Sequence, residues 1–441
     1  MEATKFELIV IGAGASGMIA AGRAAELGAG VLLLEKTERP GKKLLVSGHA
    51  RCNLTNARPL EQFLPMYGPN GRFLRAAFRS FFREELLALL GRYGVETKAE
   101  PDGRIFLASD DAHDIVRVLE RYLADGGVAV RTGEGATAIA LEGRRVAGLR
   151  TREGLLPARA VVLATGGASY PGTGSSGDGY RMAAALGHTI VPLRPALVPI
   201  VVNEVELAAA MQGVSLRDVR LTAFRLPAGQ VDPTQAPPAD VGGRGVSKRA
   251  KPPVIESRRG DLLFTHFGLG GPIVLLMSLA VVDALAEGPV SLAIDLLPDR
   301  PPPEASRWLQ RQLDERGKRS VRSILRDVLP DKMVEPLLAL AGVVGEKQGS
   351  QVTAEERERL LCLLKSLSFD VAGSLPLAAA TVTAGGVSLK DVDPATMESR
   401  LVKGLFFCGE VLDLDADTGG YNLQAAFSTG YLAGESAARL R

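Results

Sequence analysis

Phe6-Glu-Leu-Ile-Val-Ile-Gly-Ala-Gly-Ala-Ser-Gly-Met18, followed by Val31-Leu-Leu-Leu-Glu35, has the order strand, glycine turn, helix, strand, acid. Leu8 to Ile11 is a short apolar run bounded by glycine, which is how a parallel strand buried on both faces reads. Gly12, Gly14 and Gly17 follow at GxGxxG spacing. Gly12 permits the tight turn, Gly14 lets a diphosphate approach the backbone, and Gly17 lets the helix lie close to the strand. That helix, from Ala15 to Leu27, begins with the free N–H groups of Ala15, Ser16 and Gly17, which carry partial positive charge. Glu35 ends the second strand, where it can accept hydrogen bonds from a ribose 2′-OH and would repel a 2′-phosphate. The whole pattern predicts a dinucleotide site.

A second GxGxxG, Gly172 to Gly177, also follows a strand, Ala160 to Ala164, but no acid ends the next run, Thr189 to Leu193. It reads either as an independent nucleotide site or as a glycine-rich loop under the same cofactor.

The totals bound the class. A chain of 441 residues accommodates two or three domains. A formal charge of +2 gives no global pull toward nucleic acid, so any basic patch is local. Three separated cysteines without a CxxC, and four scattered histidines, point to a reducing cytoplasm and to no metal site. Glu2, Glu7, Arg23 and Glu26 exclude a signal peptide. Leu262 to Val282 is apolar, but His266 and Gly270-Gly271-Pro272 break it, so it reads as a strand and a buried helix, with no membrane partner.

From Lys36 to Asn56 the chain leaves the carboxyl end of the second strand, where ligands of this fold sit. Lys36, Lys42, Lys43 and Arg51 alternate there with Gly41, Ser47, Gly48, Asn53, Thr55 and Asn56, a mixture suited to cofactor contact. Gly41-Lys42-Lys43, Ser47-Gly48 and Arg51-Cys52-Asn53-x-Thr55-Asn56 resemble the HI0933-like flavoproteins, FAD-dependent oxidoreductases with a glutathione-reductase-type FAD domain. The chain departs from that pattern at His49-Ala50. Four further stretches match: Ala164-Thr165-Gly166-Gly167, Ser169 to Tyr180 (SYPxTGSxGDGY), Leu262 to Pro272 with Gly270 where the family has Ser, and Gly409 to Gly430 (GEVLDVDGxTGGYNLQxAFxxG).

The resemblance implies an α/β fold: a Rossmann-like FAD-binding domain with an inserted β-barrel that itself carries a small helical domain. The expected boundaries are residues 1–192 and 384–441 for the FAD domain, 193–297 and 366–383 for the barrel, and 298–365 for the helices. It implies adenine contact by the Ala136 backbone, and passage of Thr165, Gly166 and Gly167 close to the diphosphate or the flavin. It also implies cofactor contact by Gly409, Glu410, Asp413, Gly420, Tyr421, Asn422 and Leu423, with the last helix N-terminus under the flavin pyrimidine edge. Small residues of that helix, among them Gly430 and Gly434, let it pack close to the sheet. Asp413, Asp415 and Asp417 imitate a calcium loop, but no glutamate ligand follows at the required spacing.

Between these motifs the patterns are ordinary. Gly71 to Tyr93 reads as helical, and Val95 to Leu107 as a hairpin. Val198–Val202, Val214–Leu216, Val219–Phe224 and Ala378–Val382 read as barrel strands, and Glu304–Lys365 as helices. Gly229 to Gly260 is polar, and Arg244, Lys248, Arg249, Lys251, Arg258 and Arg259 face one acid, Glu256. That segment is read either as a mobile solvated loop or as a phosphate-contacting arm.

No acid/base pair or nucleophile stands out, as expected where a cofactor supplies the chemistry. The family implies reduction of an activated C=C bond with NAD(P)H as a transient reductant, the substrate being uridine in ribosomal RNA or a steroid-like enone. A non-catalytic flavin- or RNA-binding protein is the third reading. The proton donor is expected to be Cys52 or His266; the alternatives are a packing thiol and a structural histidine.

Overall fold

The computed structural model describes residues 6–48 and 50–440; Glu2 and His49 lie outside them. The chain divides into two compact units, residues 1–194 with 377–441, and residues 195–376. The principal elements of the first unit are β1 (Leu8–Ile11), α1 (Ala15–Glu26), β2 (Val31–Glu35), β3 (Ala129–Thr132), β4 (Ala160–Leu163) and α2 (Asp178–Ala185). The second unit contains β5 (Ile200–Val202), β6 (Ser215–Phe224), β7 (Val254–Thr265), β8 (Gly268–Gly270), α3 (Pro272–Leu285) and β9 (Ser291–Asp295). There follow α4 (Pro302–Glu315), α5 (Val321–Arg326), α6 (Asp331–Ala341), α7 (Ala354–Lys365) and β10 (Leu367–Ser374). The chain returns to the first unit with β11 (Leu405–Phe407) and α8 (Tyr421–Ala438).

In the first unit a five-stranded sheet runs β11–β4–β1–β2–β3, with every pairing parallel. β1, β2 and β4 are buried at every position, which explains why each reads as an unbroken apolar run. The small residues of α8, expected against the sheet, make their closest approach to α1. A Cβ on Gly430 would overlap the Ser16 carbonyl, and one on Gly434 the Ala20 carbonyl. The two contacts advance together along both helices, so α1 and α8 run parallel, and Arg23 pairs with Glu435 at 3.0 Å farther along. α8 starts about two turns earlier than α1 relative to that contact, about 12 Å at 1.5 Å per residue.

In the second unit six strands close into an antiparallel barrel, β5–β8–β7–β6–β9–β10. The helices α4 to α7 form their own apolar cluster between β9 and β10. Among the described residues no helix is long and apolar enough to cross a membrane.

Four local expectations differ from the structure. The helical pattern of Gly71–Tyr93 breaks at Phe81, which is extended (φ −157°, ψ 104°); Arg83–Arg92 starts afresh with the Glu85 carboxylate accepting the Phe82 N–H at 2.8 Å. Phe81 and Phe82 continue the apolar spacing, so periodicity alone misses the break. Val214–Leu216 and Val219–Phe224 are parts of one strand, β6, with a register shift between Leu216 and Val219. Ala378–Val382 is not a barrel strand: the barrel ends with β10, Leu377–Ala379 is a 3₁₀ turn, and Val382–Val387 pairs with Ile190–Ala196. The polar segment Gly229–Gly260 becomes strand at Val254, where antiparallel pairing to β6 takes over.

Candidate functional site

Every cofactor residue named from the sequence belongs to the first unit; His266 belongs to the second. The centre of the site is the β1–α1 turn. Gly12 has φ +100°, and a Cβ there would stand 2.5 Å from the Ala164 carbonyl oxygen and 3.1 Å from the Thr165 Cα. The turn after β1 and the Thr165-Gly166 turn after β4 are therefore pressed together. Gly17 is equally constrained, since a Cβ would overlap the Gly12 carbonyl. Gly14 is different: its φ of −84° suits any residue, and a Cβ would meet no protein atom within 4 Å. Among the described residues nothing requires glycine there, whereas a ligand lying against the backbone would. Gly14 is also the N-cap of α1 and supplies no side-chain cap, so the first turn keeps its N–H groups for an anion.

Glu35 is 9% exposed at the end of β2. Its carboxylate accepts the N–H groups of Ala13 and Thr37, each at 2.8 Å, which ties the acid to the glycine turn and leaves lone pairs for a ribose hydroxyl. The Glu134 N–H donates to the Glu35 carbonyl at 3.1 Å, bringing the start of the Ala136–Glu142 strand to the same end of β2. The second glycine motif arrives there too. A Cβ on Gly174 would lie 3.1 Å from Thr37 Cγ2 and 3.6 Å from Glu35 Oε1. Lys36 Nζ donates to Ser176 Oγ and pairs with Asp178 at 2.6 Å, in the first turn of α2. The two glycine motifs thus face one site.

Lys43 and Glu410 form an ion pair at 2.6 Å. Lys43 also donates to Ser169 Oγ at 2.8 Å, while Glu410 Oε1 accepts the Thr383 N–H at 2.9 Å. The Ala168 N–H completes the network by donating to Thr383 Oγ1 at 2.9 Å. Four separate chain segments meet at this half-buried cluster. Gly167 lies under it, beside Thr383 and Glu410, and Gly409 abuts Ser16 in α1. Ser169 opens the Ser169–Tyr180 stretch but was not read as a site residue, and neither it nor Thr383 carries a charge to mark it. Lys42 is half-buried at the start of the short helix Lys42–Val46.

Asn53, Thr55 and Asn56 support the start of α8. The Asn53 side chain accepts the Gly420 N–H at 3.0 Å and donates to the Thr55 carbonyl at 3.1 Å. Asn56 donates to the Gly419 carbonyl at 3.1 Å, and Tyr67 OH donates to the Tyr421 carbonyl at 2.6 Å. Gly420, with φ +91°, sits so tightly on Thr55 that a Cβ would overlap its backbone. Thr55 is fully buried and forms the floor under Gly420, so its place is beneath the helix start and not on the open face of the site. Gly420 leaves the α8 N-terminus uncapped as well. Asn422 and Leu423 are half-exposed there, and Asn422 also holds the preceding loop by accepting the Ala416 N–H at 2.9 Å. Asp413 receives a hydrogen bond from Asn70 on its backbone carbonyl at 2.8 Å; burial raises the pKa of its carboxyl, and Asp415 pushes the same way. Among the described residues no cluster could hold a metal ion.

Cys52 is buried as completely as Thr55. The thiol is fully buried in the apolar core, its hydrogen-bond partner is Ser47, and burial pushes its pKa up to about 11. Ser47 Oγ also donates to the Leu44 carbonyl at 2.7 Å, so it is committed to the same turn, and Gly48 is exposed beside it. With no accessible surface, the thiol makes no direct contact with a ligand in this structure. Cys52→Ala is expected to keep turnover within about twofold and to lower stability by about 1–2 kcal/mol, the scale of a small core truncation; steady-state kinetics and thermal unfolding check both. His266 is exposed in the β7–β8 turn, its ring edge-on to Phe267 at 4.9 Å.

Two uncapped helix N-termini, with their helices parallel, and an acid at the end of β2 in a parallel sheet have the form of a Rossmann-type dinucleotide cradle. The HI0933-like protein Rossmann domain matches residues 6–436, and the chain belongs to that family of FAD-binding flavoprotein oxidoreductases. Among its relatives is the 3-dehydro-bile acid delta(4,6)-reductase of Clostridium scindens, 32% identical, covering 97% of this chain and 98% of the relative. The ribosomal RNA dihydrouridine synthase of Escherichia coli is 30% identical, covering 97% and 96%. In fold the chain is similar to the 3-ketosteroid-delta4-(5alpha)-dehydrogenase of Rhodococcus jostii, with a TM-score of 0.50, 16% identity, and coverage of 98% and 97%.

Proposed function

We propose that this chain uses NAD(P)H to reduce an activated C=C bond, and that the bond is that of a uracil ring in ribosomal RNA. The reaction takes a hydride from the dihydronicotinamide and a proton from an acid. The hydride adds to the β-carbon, the proton to the α-carbon, and NAD(P)⁺ leaves. FAD would supply the two-electron carrier between the two partners. Gly14 and the first turn of α1 would hold its diphosphate and Glu35 a ribose. The N–H groups at the start of α8 would favour negative charge at its other end by about 0.3–2 kcal/mol. With Cys52 buried, His266 is the remaining candidate for the acid among those read from the sequence.

The observation that carries the RNA reading is the basic loop, in a revised form. Arg258 and Arg259 leave the arm because they are barrel residues. Arg258 pairs with Glu256 inside the unit, and Arg259 pairs with Asp218 and Asp299, each at 2.6 Å. Lys248, Arg249 and Lys251 are exposed, with no acid from Val241 to Pro253. The loop is anchored: Val241 and Ser257 exchange backbone hydrogen bonds at 3.1 and 2.9 Å, and the Gly242 N–H donates to the Lys248 carbonyl at 2.8 Å. Replacing all three exposed cations with alanine is expected to weaken ribosomal RNA binding and to reduce the salt slope of log K by about 2, at about 0.7 per single-strand phosphate contact. Reduction of the flavin by NAD(P)H is expected to stay unchanged. An unaltered salt slope would remove the RNA reading.

The reductase from Clostridium supports a second reading, a small-molecule enone as substrate. Mass spectrometry of ribosomal RNA nucleosides from a deletion strain separates the two. Loss of dihydrouridine at one site supports RNA. An unchanged nucleoside profile, together with enone-stimulated NAD(P)H oxidation by the purified protein, supports the small molecule.

A further inference from the structure

Tyr170 stands apart from the rest of the chain. Its backbone is left-handed (φ 51°, ψ 60°), a conformation that is strained for a bulky residue. Its side chain is 43% exposed. Among the described residues it alone combines a positive φ outside glycine with an exposed large apolar side chain. Among the described residues the ring packs against no other aromatic and the hydroxyl has no hydrogen-bond partner. The backbone enforces the geometry. The Tyr170 N–H donates to the Ala378 carbonyl at 3.2 Å, and its own carbonyl accepts from the Thr173 N–H at 2.9 Å and from Thr173 Oγ1 at 2.7 Å. The preceding residue, Ser169, is fully buried and held by Lys43 and Glu410. Tyr170 is thus the first residue to emerge from the cluster that joins the turns after β2, β4 and β11. It also precedes the glycine loop that meets Glu35.

We propose that the Tyr170 ring is a stacking platform for the nicotinamide dinucleotide that reduces the flavin, an inference that rests on the NAD(P)H-dependent reading above. Among the described residues there is one parallel sheet, so the fold offers that reductant no second Rossmann unit. The second glycine motif is taken up at the end of β2, and Asp178, in the first turn of α2, is already paired with Lys36. The strand that follows α2, Ile190–Ala196, pairs with Val382–Val387 outside the parallel sheet. Surface groups of the FAD unit are then the nearest docking points, and an exposed aromatic ring on a backbone held by three hydrogen bonds offers a flat heterocycle a stacking face.

The test is rapid-mixing kinetics of the FAD-loaded protein as wild type, Tyr170→Phe and Tyr170→Gly. Reduction of wild-type flavin by NADH or NADPH tests the underlying reading by itself; no reduction by either overturns that reading, whatever Tyr170 does. Given reduction, Tyr170→Gly is expected to raise the dinucleotide concentration at half-maximal rate by about 5- to 150-fold, the range for loss of one stacked base. Tyr170→Phe is expected to stay within about threefold of wild type, because the ring and not the hydroxyl carries the contact. Flavin content and thermal unfolding of the glycine variant are expected to be unimpaired, since glycine relieves the left-handed strain. An unchanged half-maximal concentration in Tyr170→Gly overturns the proposal. So does a defect confined to reoxidation of dithionite-reduced protein by the substrate, which assigns the ring to the substrate instead.

Discussion

Gly14→Val is expected to give a folded protein that does not retain FAD. The valine backbone is unstrained at φ −84°, and its Cβ meets no atom of the described residues within 4 Å, so thermal unfolding of the flavin-free variant should match that of flavin-free wild type. The branched side chain would occupy the space through which a diphosphate approaches the first turn of α1. Overpacking of this kind costs about 1–3 kcal/mol, a loss in affinity of about 5- to 150-fold, enough to strip the flavin on desalting. Gly430→Val is the matched control. Its Cβ would overlap the Ser16 carbonyl, forcing α8 off α1, so stability and flavin should fall together. Flavin-to-protein absorbance after desalting, with a melting curve for each variant, separates the two outcomes. Full flavin content in Gly14→Val would refute the assignment of the β1–α1 turn as the diphosphate site.

The contrast between these glycines also shows what the sequence could and could not reveal. Gly12, Gly14 and Gly17 are adjacent in the chain, so their spacing, with Leu8–Ile11 before them and Glu35 after, is enough to read the turn. Gly430 and Gly434 announce only that something comes close. That their neighbours are Ser16 and Ala20 is a tertiary fact, and it is what makes α1 and α8 parallel. Asn53, Thr55 and Asn56 were legible as important but not in their role. A polar loop after β2 reads as ligand-contacting, whereas these residues hold Gly419 and Gly420 from beneath and act on the site through the α8 N-terminus. The Lys43–Glu410 pair was present in two motifs whose meeting no local pattern encodes. Charge counting along the basic arm ignores partners: Asp218 and Asp299, remote in sequence, pair with Arg259.

Lys365→Met is expected to destabilise the protein by about 3–5 kcal/mol, the cost of leaving a buried charge without its partner. Lys365 ends α7 with 8% of its side chain exposed. Its ammonium donates to Asp295 Oδ2 at 2.6 Å, the Leu297 carbonyl at 2.9 Å and the Arg300 carbonyl at 2.8 Å. All three protons are used, and the acceptors lie on the chain entering the helical module while the donor lies on the chain leaving it. Burial raises the Asp295 pKa despite the opposing pull of Lys365, so desolvation is the larger effect on that carboxyl. The methionine variant removes the pull and keeps the burial. A carboxyl whose folded pKa lies above its unfolded value carries its penalty above that folded pKa and is relieved as pH falls through it. The deficit of Lys365→Met should therefore shrink on acidification. Adding Asp295→Leu should recover much of the loss at neutral pH, because a buried pair replaced by apolar groups is often close to neutral in stability. Urea unfolding of the single and double variants at neutral and mildly acidic pH measures all three effects. A single variant within about 1 kcal/mol of wild type would place it in the range of an exposed ion pair and show that the ammonium does not close the module.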